Sequence, residues 1–188
     1  MAAEEIANGI WKISGNSNFY ILKNLKISID AGDPSDFQMA EEEIKRIINP
    51  LEIRQVFFTH LHYDHVGNYR MFAKAKFYAS DAEIKFFEKD RLGSIIHLET
   101  AKGFNAQLLS AEDALKESPL SIIETPGHTP GSVCYYLKEQ GILFSGDTMF
   151  VRGYGRTDLP GGSMRALRES VRKIKGLDYK MLMPGHDY

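Results

Sequence analysis

Three histidines and one aspartate lie within six consecutive positions of this chain. They are His60, His62, Asp64 and His65, and they directly follow a short apolar run that is typical of a buried β-strand. The carboxyl end of such a strand leaves room for a ligand in an open sheet. In an extended segment His60 and His62 point to the same side, whereas Asp64 and His65 are expected to begin a short helix. Imidazole and carboxylate groups are the ligands that Zn²⁺ and similar divalent ions take, so this segment predicts a metal site.

Further ligands must come from other parts of the chain, and three later segments offer them. His128 lies in a Pro-Gly-His-Thr-Pro-Gly stretch, Asp147 in Gly-Asp-Thr, and His186 in Pro-Gly-His-Asp. Each of these segments follows a β-like run, so each side chain is expected at a strand end. Together the five histidines and two aspartates suffice for two sites of about four ligands each. The remaining histidine, His97, lies outside this pattern and is interpreted as a structural or surface residue.

The order of these motifs resembles that of a known family. His-x-His-x-Asp-His, Gly-His, Gly-Asp-Thr and a final Gly-His run from His60 to His186 and resemble the metallo-β-lactamase superfamily. Within it, the chain is most similar to the branch of glyoxalase II (hydroxyacylglutathione hydrolase) and persulfide dioxygenase. The resemblance implies an α/β (α+β) fold, the four-layer αββα sandwich, whereas periodicity alone indicates only mixed helices and strands. We expect a single domain over residues 1–188, without the C-terminal helical substrate domain of glyoxalase II.

The resemblance also implies how the ligands divide between two divalent metal ions. The assignment is His60, His62 and His128 for one ion, Asp64, His65 and His186 for the other, and Asp147 as the bridge between them. Zinc is the expected metal, with iron or manganese as alternatives. When such ions share a water, they lower its pKa towards about 7, and a substrate carbonyl can be polarised. Asp64 and Asp147 are therefore the candidate catalytic residues, and Asp64 can pass a proton to the leaving group.

Three functions are compatible with this ligand set. The first is a dinuclear hydrolase of small thioesters or related esters, similar to glyoxalase II. The second is an iron-dependent persulfide (sulfur) dioxygenase, in which the equivalents of His60, His128 and Asp147 hold a single iron. The third is a non-catalytic metal-binding module. The ligand types alone do not choose between them, and the hydrolase is our leading hypothesis.

The substrate of such an enzyme is a small molecule, and its candidate contacts lie just after Asp147. They are Arg152, Tyr154 and Arg156. Arg156 matches a basic residue that helps glyoxalase II to hold glutathione, but Asp158 stands where a tyrosine is expected. Since the expected domain also lacks the helical region that completes a glutathione site, we predict activity on several small anionic thioesters. The alternative for Arg156 is a salt bridge with Asp158 that stiffens the loop.

Composition excludes several other classes of protein. A length of 188 residues, 43% of them hydrophobic, is ordinary for a soluble globular domain. A net charge of −2 gives no sign of the excess of basic residues that is typical of nucleic-acid-binding proteins. The single Cys134 excludes an intrachain disulfide and is expected to pack inside a strand. Without an N-terminal apolar leader or a long apolar run, we expect a cytoplasmic protein that does not enter a membrane, while the oligomeric state stays open.

Periodicity and turn residues outline the elements that must position these side chains. We predict strands over residues 9–14, 18–22 and 26–29, the last ending at Asp30, which either supports the ligand loops or is a plain turn residue. A helix is predicted over residues 36–49 with Asp36 as its cap, and another over 163–175 capped by Ser163. Residues 88–109 are predicted to be a loop-rich excursion, and residues 150–162 to be irregular.

Overall fold

A computed structural model describes residues 1–187, which form two β-sheets packed face to face with helices on their outer surfaces. The first sheet has seven strands that neighbour one another in chain order. They are β1 (Ala2–Ala7), β2 (Ile10–Ser14), β3 (Phe19–Leu22), β4 (Ile27–Ile29), β5 (Gln55–Phe57), β6 (Lys76–Ala79) and β7 (Leu108–Ser110). Neighbours are antiparallel from β1 to β4 and parallel from β4 to β7, so β4 to β7 end at the same edge of the sheet.

The second sheet takes its strands from the C-terminal half of the chain. They are β8 (Leu120–Glu124), β9 (Val133–Leu137), β10 (Ile142–Gly146) and, after a ribbon of β11 (Met149–Phe150) and β12 (Gly153–Tyr154), β13 (Met181–Pro184). The spatial order is β13-β10-β9-β8, with β10 and β13 parallel and the other neighbours antiparallel. Because β10 and β13 are parallel, their carboxyl ends meet and bring Asp147 close to His186.

Seven α-helices occur within residues 1–187. They are α1 (Phe37–Ile47), α2 (Tyr63–Val66), α3 (Asp81–Lys89), α4 (Arg91–Ile95), α5 (Leu98–Gly103), α6 (Ala111–Ala114) and α7 (Met164–Lys175). Helix α1 packs Ile44 and Ile47 with the outer core of the first sheet, and α7 packs Leu167 and Val171 with that of the second. The layers therefore follow the order helix, sheet, sheet, helix. None of these helices has both the length and the apolar character that crossing a membrane requires.

The interface between the two sheets is an apolar core rich in aromatic rings. Phe57 of β5 packs against Tyr135 of β9 with ring centroids 5.7 Å apart. Successive side chains of a strand point to opposite faces, so the next residue, Phe58, packs on the helix-covered side of the first sheet. The buried Tyr135 hydroxyl donates to the Phe58 carbonyl over 2.8 Å. This hydrogen bond joins the two sheets directly before the segment that carries the first histidines.

The structure corrects the prediction of a loop-rich excursion over residues 88–109. This stretch contains α4, α5 and β7, and β7 completes the first sheet. The two helices have five and six residues, which is too short for an apolar period to show in the sequence. Their ends are set by local caps instead, since Asp90 accepts a hydrogen bond from the Gly93 amide and His97 accepts one from the Thr100 amide.

The structure also changes several smaller predictions about individual elements and helix caps. Residues 2–7 form the edge strand β1, which the sequence analysis missed because half of its side chains are exposed and the exposed ones do not alternate with the others. The segment 150–162, predicted to be irregular, contains part of the β11–β12 ribbon. Asp36 stands at the start of α1, but its carboxylate accepts a hydrogen bond from the Asn16 amide and does not cap the helix. The prediction for Ser163 is confirmed, because its hydroxyl accepts from the Ala166 amide and caps α7.

Replacing Tyr135 with phenylalanine should destabilise the fold, because the change removes the donor that satisfies the buried Phe58 carbonyl. Leaving a buried acceptor unsatisfied costs about 1–3 kcal/mol, which a denaturant titration would detect as a lower free energy of unfolding. Tyr136→Phe is the matched control, since the Tyr136 hydroxyl donates to the Asp178 carbonyl at an exposed site. Its loss should cost less than about 0.5 kcal/mol. Equal losses in the two variants would show that the hydrogen bond between the sheets is not what Tyr135 contributes.

Candidate metal centre

All seven ligands predicted from the sequence converge at one end of the sandwich. His60 and His62 follow β5, Asp64 and His65 lie on α2, and His128, Asp147 and His186 follow β8, β10 and β13. The ends of strands from both sheets therefore meet at this cluster. The short helix α2 begins directly after His62, so it turns two more ligands into the same space.

The first group of ligands consists of three buried histidines. One ring nitrogen from each of His60, His62 and His128 lies within 4.8 Å of the others. His62 Nδ1 and His128 Nε2 are only 2.9 Å apart. The rings of His60 and His62 have centroids 4.6 Å apart and stand nearly perpendicular, so their nitrogens approach one point from different directions.

The second group consists of Asp64, His65 and His186, whose ligand atoms also lie within 4.8 Å of one another. His186 Nε2 lies 3.4 Å from a carboxylate oxygen of Asp64. His65 is fully buried, whereas the side chain of Asp64 keeps 17% of its surface exposed. The second group therefore lies closer to solvent on its Asp64 side.

Asp147 lies between the two groups. Its Oδ1 is 3.3 Å from His65 Nε2, and its Oδ2 is 3.5 Å from both His128 Nε2 and His186 Nε2. A single carboxylate thus reaches ligands of both groups. This is the position that the sequence analysis expects of a bridging ligand.

The donor atoms at this centre fit divalent metal ions. Among the described residues, the buried side-chain atoms without a hydrogen-bond partner include four of this cluster, namely His60 Nε2, His62 Nε2, His65 Nε2 and Asp147 Oδ1. An unsatisfied buried polar atom costs about 1–3 kcal/mol, so several of them in one place require a compensating partner. Because these atoms are imidazole nitrogens and a carboxylate oxygen, divalent cations are the partners that suit them.

Hydrogen bonds behind the ligands fix which ring nitrogen faces the centre. Three Nδ1 atoms contact oxygens that can only accept: His65 with Asp30 Oδ2 at 2.8 Å, His128 with the Arg156 carbonyl at 2.7 Å, and His186 with the Asn16 carbonyl at 2.8 Å. Each Nδ1 must therefore carry the proton and donate. The Nε2 atom of a neutral ring then has a free lone pair, which is the form that binds a metal ion.

Asp30 is the hub of this supporting network. Its carboxylate accepts from the Thr59 amide, the Thr59 hydroxyl and His65 Nδ1 at 2.7 to 2.8 Å. Since the Thr59 hydroxyl donates to Asp30, it accepts from His60 Nδ1, which lies 3.1 Å away. Asp30 has a φ of 60°, a left-handed conformation that a residue other than glycine keeps only when its surroundings enforce it. The first of the two interpretations of Asp30 is therefore confirmed: it supports the ligand loops.

Burial and charge shift the pKa values of the histidines of the two groups in opposite directions. Burial lowers the pKa of His60 well below its usual range and that of His62 to about 3, so both rings are neutral at neutral pH. Burial also acts to lower the pKa of His186, but hydrogen bonds to Asp147 and Asp64 outweigh it and raise this pKa to about 9. The same competition raises the pKa of His65, mainly through the charge of Asp147. A metal ion in the second group must therefore displace protons.

A groove with a volume of about 410 Å³ opens over the ligands. Its walls include the three predicted substrate contacts Arg152, Tyr154 and Arg156, together with apolar side chains such as Ile96 and Leu159. The Tyr154 hydroxyl accepts a hydrogen bond from Lys175 Nζ, and Tyr154 remains half exposed. Arg156 also forms the salt bridge foreseen as its alternative role, with Nε and Nη2 donating to the two carboxylate oxygens of Asp158 at 2.8 and 2.7 Å.

Sequence reasoning did not foresee several contacts that support the centre. Asn16 and Arg156 act through backbone carbonyls, which no side-chain type reveals. Thr59 stands directly before His60, but a threonine at a strand end is not by itself a signal. Glu83 did carry a signal, because it precedes Phe87 by one helical turn on the buried face of α3, where a charged side chain is unusual.

Comparison with known proteins agrees with the fold and the ligand motifs. The model of the metallo-β-lactamase superfamily matches residues 14–186. The probable metallo-hydrolase MJ0888 of Methanocaldococcus jannaschii is 32% identical over 193 residues, covering 94% of this chain and 92% of that protein. A hydroxyacylglutathione hydrolase of Bartonella quintana is 33% identical over 142 residues, covering 72% of this chain but only 49% of the hydrolase.

Solved structures agree with the sequence relatives. The crystal structure of TTHA1623 in a di-iron-bound form superimposes with a TM-score of 0.73 at 25% identity, covering 94% of this chain and 91% of that one. The αββα fold and the family resemblance predicted from the sequence are thereby confirmed. The chain belongs to the metallo-β-lactamase superfamily.

Proposed function

We propose that this protein is a dinuclear hydrolase that cleaves small thioesters or related esters. The observation that carries the proposal is the position of Asp147, whose oxygens lie 3.3 Å from His65 Nε2 and 3.5 Å from His128 Nε2. A carboxylate that touches ligands of both groups supports a pair of ions over a single one. The similarity to a hydroxyacylglutathione hydrolase supports thioesters as the substrate class, although the chain spans about half of that relative.

Zinc is the metal that we propose first, because imidazole and carboxylate ligands suit it. The di-iron form of TTHA1623 makes iron the second candidate. Bound here, two divalent ions would supply a water of lowered pKa and a polarised substrate carbonyl. The residues of the chain hold the ligands rigidly for this purpose, through Asp30, the Asn16 carbonyl and the Arg156 carbonyl.

Asp64 is the residue that we assign to proton transfer. Its carboxylate lines the groove and lies 3.4 Å from His186 Nε2. Burial alone would raise the pKa of Asp64, but a hydrogen bond with His186 and the charge of His65 lower it. An ionised carboxylate at this position can accept a proton and return it to the leaving group. A thiolate leaving group needs little such help, so thioesters make the smallest demand on Asp64.

Arg152 and Arg156 are the residues that we assign to substrate binding. Asp158 holds the Arg156 side chain through Nε and Nη2, which leaves Nη1 directed away from that carboxylate. A guanidinium fixed in this way loses little entropy when it binds an anion. Arg156 can therefore have both roles considered for it, a salt bridge within the loop and a contact with a substrate carboxylate.

The dioxygenase hypothesis is less well supported. A single iron on His60, His128 and Asp147 would leave the second group of ligands without a role. Yet the ligand atoms of Asp64, His65 and His186 also lie within 4.8 Å of one another. Such convergence of buried titratable groups favours a second ion over a merely structural cluster.

Zinc-reconstituted protein should contain close to two ions per chain by elemental analysis. His65→Ala should lose mainly one ion, because it removes a ligand of the second group and leaves the three histidines of the first intact. Asp147→Ala should lose both, because it removes a carboxylate that both groups contact. A stoichiometry that stays near one for the wild type in excess zinc would overturn the dinuclear centre. Retention of both ions by Asp147→Ala would overturn only its bridging role.

A hydrolase should release thiol from acyl-thioesters in the complete absence of oxygen. We expect equal initial rates under nitrogen and under air for the zinc-loaded protein, measured with a thiol-reactive dye. A dioxygenase would instead consume oxygen with a persulfide substrate and would lose activity when zinc replaces iron. Oxygen-dependent turnover without thioester cleavage would therefore reject the proposed function.

Arg156→Ala should lower kcat/KM for thioesters that carry a carboxylate by roughly ten- to a hundredfold. This decrease in kcat/KM corresponds to the loss of one charge-assisted hydrogen bond worth about 1.5–3 kcal/mol. Neutral alkyl thioesters serve as the matched control, since their kcat/KM and the metal content should stay unchanged. If neutral and anionic thioesters lose activity equally, Arg156 acts by shaping the loop, and its role in binding the substrate anion is wrong.

A further inference from the structure

Glu83 is a fully buried carboxylate that is not itself among the ligands. Its Oε1 accepts a hydrogen bond from the Leu61 amide over 3.0 Å. Its Oε2 accepts from the Thr129 hydroxyl over 2.7 Å and from the Gly131 amide over 3.0 Å. Leu61 stands between His60 and His62 in the chain, and Thr129 directly follows His128. A single side chain thus connects the two loops that supply the all-histidine group.

The N-terminus of α3 is seated firmly against one of these loops. Ser80 caps the helix by accepting from the Glu83 amide, and its hydroxyl donates to the Gly131 carbonyl over 2.6 Å. Gly131 lies so close to the helix that a Cβ atom there would come within 2.1 Å of the Glu83 backbone nitrogen. The backbone of Glu83 is therefore fixed with respect to the His128 loop, and its side chain bridges from there to the loop of His60 and His62.

We propose that Glu83 is a positioning residue that sets the spacing of the His60, His62 and His128 nitrogens and thereby the affinity of the first metal site. The inference rests on the metal role proposed above, but it concerns only one of the two sites. Burying this carboxylate is unfavourable. Burial raises the pKa of Glu83 to about 7, although its hydrogen bonds act to lower it. Three convergent donors compensate for this cost, and an acceptor-only side chain matches them without leaving a donor unpaired.

The second group of ligands has a separate support. His65 is held by Asp30, and His186 is held by the Asn16 carbonyl. The hydrogen bonds of the Glu83 carboxylate all go to the two loops of the first group. Loss of the Glu83 carboxylate should therefore weaken metal binding at one site and leave the other site unchanged. A general loss of stability would instead weaken metal binding at both sites.

The decisive variant is Glu83→Gln, which keeps the volume and one acceptor oxygen. Its amide nitrogen can only donate, so it must face either the Leu61 amide or the Gly131 amide. One of these two backbone amides then loses its acceptor, even when the Thr129 hydroxyl turns to accept from the glutamine. We expect the affinity for Zn²⁺ at one site to fall by roughly ten- to a hundredfold, the usual range for groups that orient metal ligands, with the other site unchanged. Competition with a chromophoric chelator measures both affinities, and the visible spectrum of the Co²⁺-loaded protein should change in shape.

Two further variants make the result unambiguous. Glu88→Gln changes an exposed glutamate of the same helix and should match the wild type in both affinities. Thr129→Val removes one of the three donors to Glu83 at almost constant volume, so it should weaken the same site by a smaller factor even if Glu83→Gln fails to fold. The unfolding temperature of the metal-free variants reports any purely structural loss.

The outcomes separate this proposal from the proposed function. Unchanged affinities in Glu83→Gln, or in Thr129→Val if the first variant does not fold, would overturn the positioning role while leaving the hydrolase intact. Equal weakening of both sites would overturn it as well, because Glu83 would then act through overall stability. A wild-type protein that holds a single ion would reject the dinuclear function, and the effect of Glu83→Gln on that ion would still decide the role of Glu83.

Discussion

The constraint on which this structure depends is the packing of five imidazoles and two carboxylates, all but Asp64 buried, into one small volume. Several of their atoms lack hydrogen-bond partners among the described residues, and the nearest nitrogens, of His62 and His128, are 2.9 Å apart. His62 Nδ1 can donate to His128 Nε2 in that contact, but the buried ring nitrogens without a partner are costly to desolvate. An arrangement of this kind is stable only where the surrounding fold holds each ring in place. The supporting hydrogen bonds are therefore as essential to the site as the ligands.

That support comes from elements that are far apart in the sequence. Asp30 ends β4, Asn16 lies in the turn between β2 and β3, Glu83 lies on α3, and the Arg156 carbonyl belongs to the loop after β12. The first three belong to the half of the chain that forms the first sheet, whereas the Arg156 loop belongs to the other half. The two sheets must consequently dock before the ligands can be positioned. Their aromatic interface, with the hydrogen bond from Tyr135 to the Phe58 carbonyl, is thus part of what makes the centre possible.

The sequence predicted well which side chains converge, because metal chemistry restricts residue type, spacing and position at strand ends all at once. His60, Asp147 and His186 could hardly have another explanation in that context. The family resemblance supplied the order of the layers, which periodicity did not. Missed features have physical reasons: α4 and α5 are set by single caps such as Asp90 and His97, and β1 is an exposed edge strand held by backbone pairing. Backbone carbonyls that orient histidines leave no trace in residue type.

Glu83 lies between the features that the sequence predicts and those that only the structure reveals. Its position on the buried face of α3 could be read from the sequence, but its partners could not, because they are backbone amides and a hydroxyl brought close by tertiary folding. An isolated buried glutamate would be a serious defect, since an unpaired charge in a core is strongly destabilising. With three donors it becomes a rigid connection between loops that are separated by more than sixty residues. The same burial that makes the carboxylate costly makes its hydrogen bonds strong and directional, which suits it to fix the distance between metal ligands.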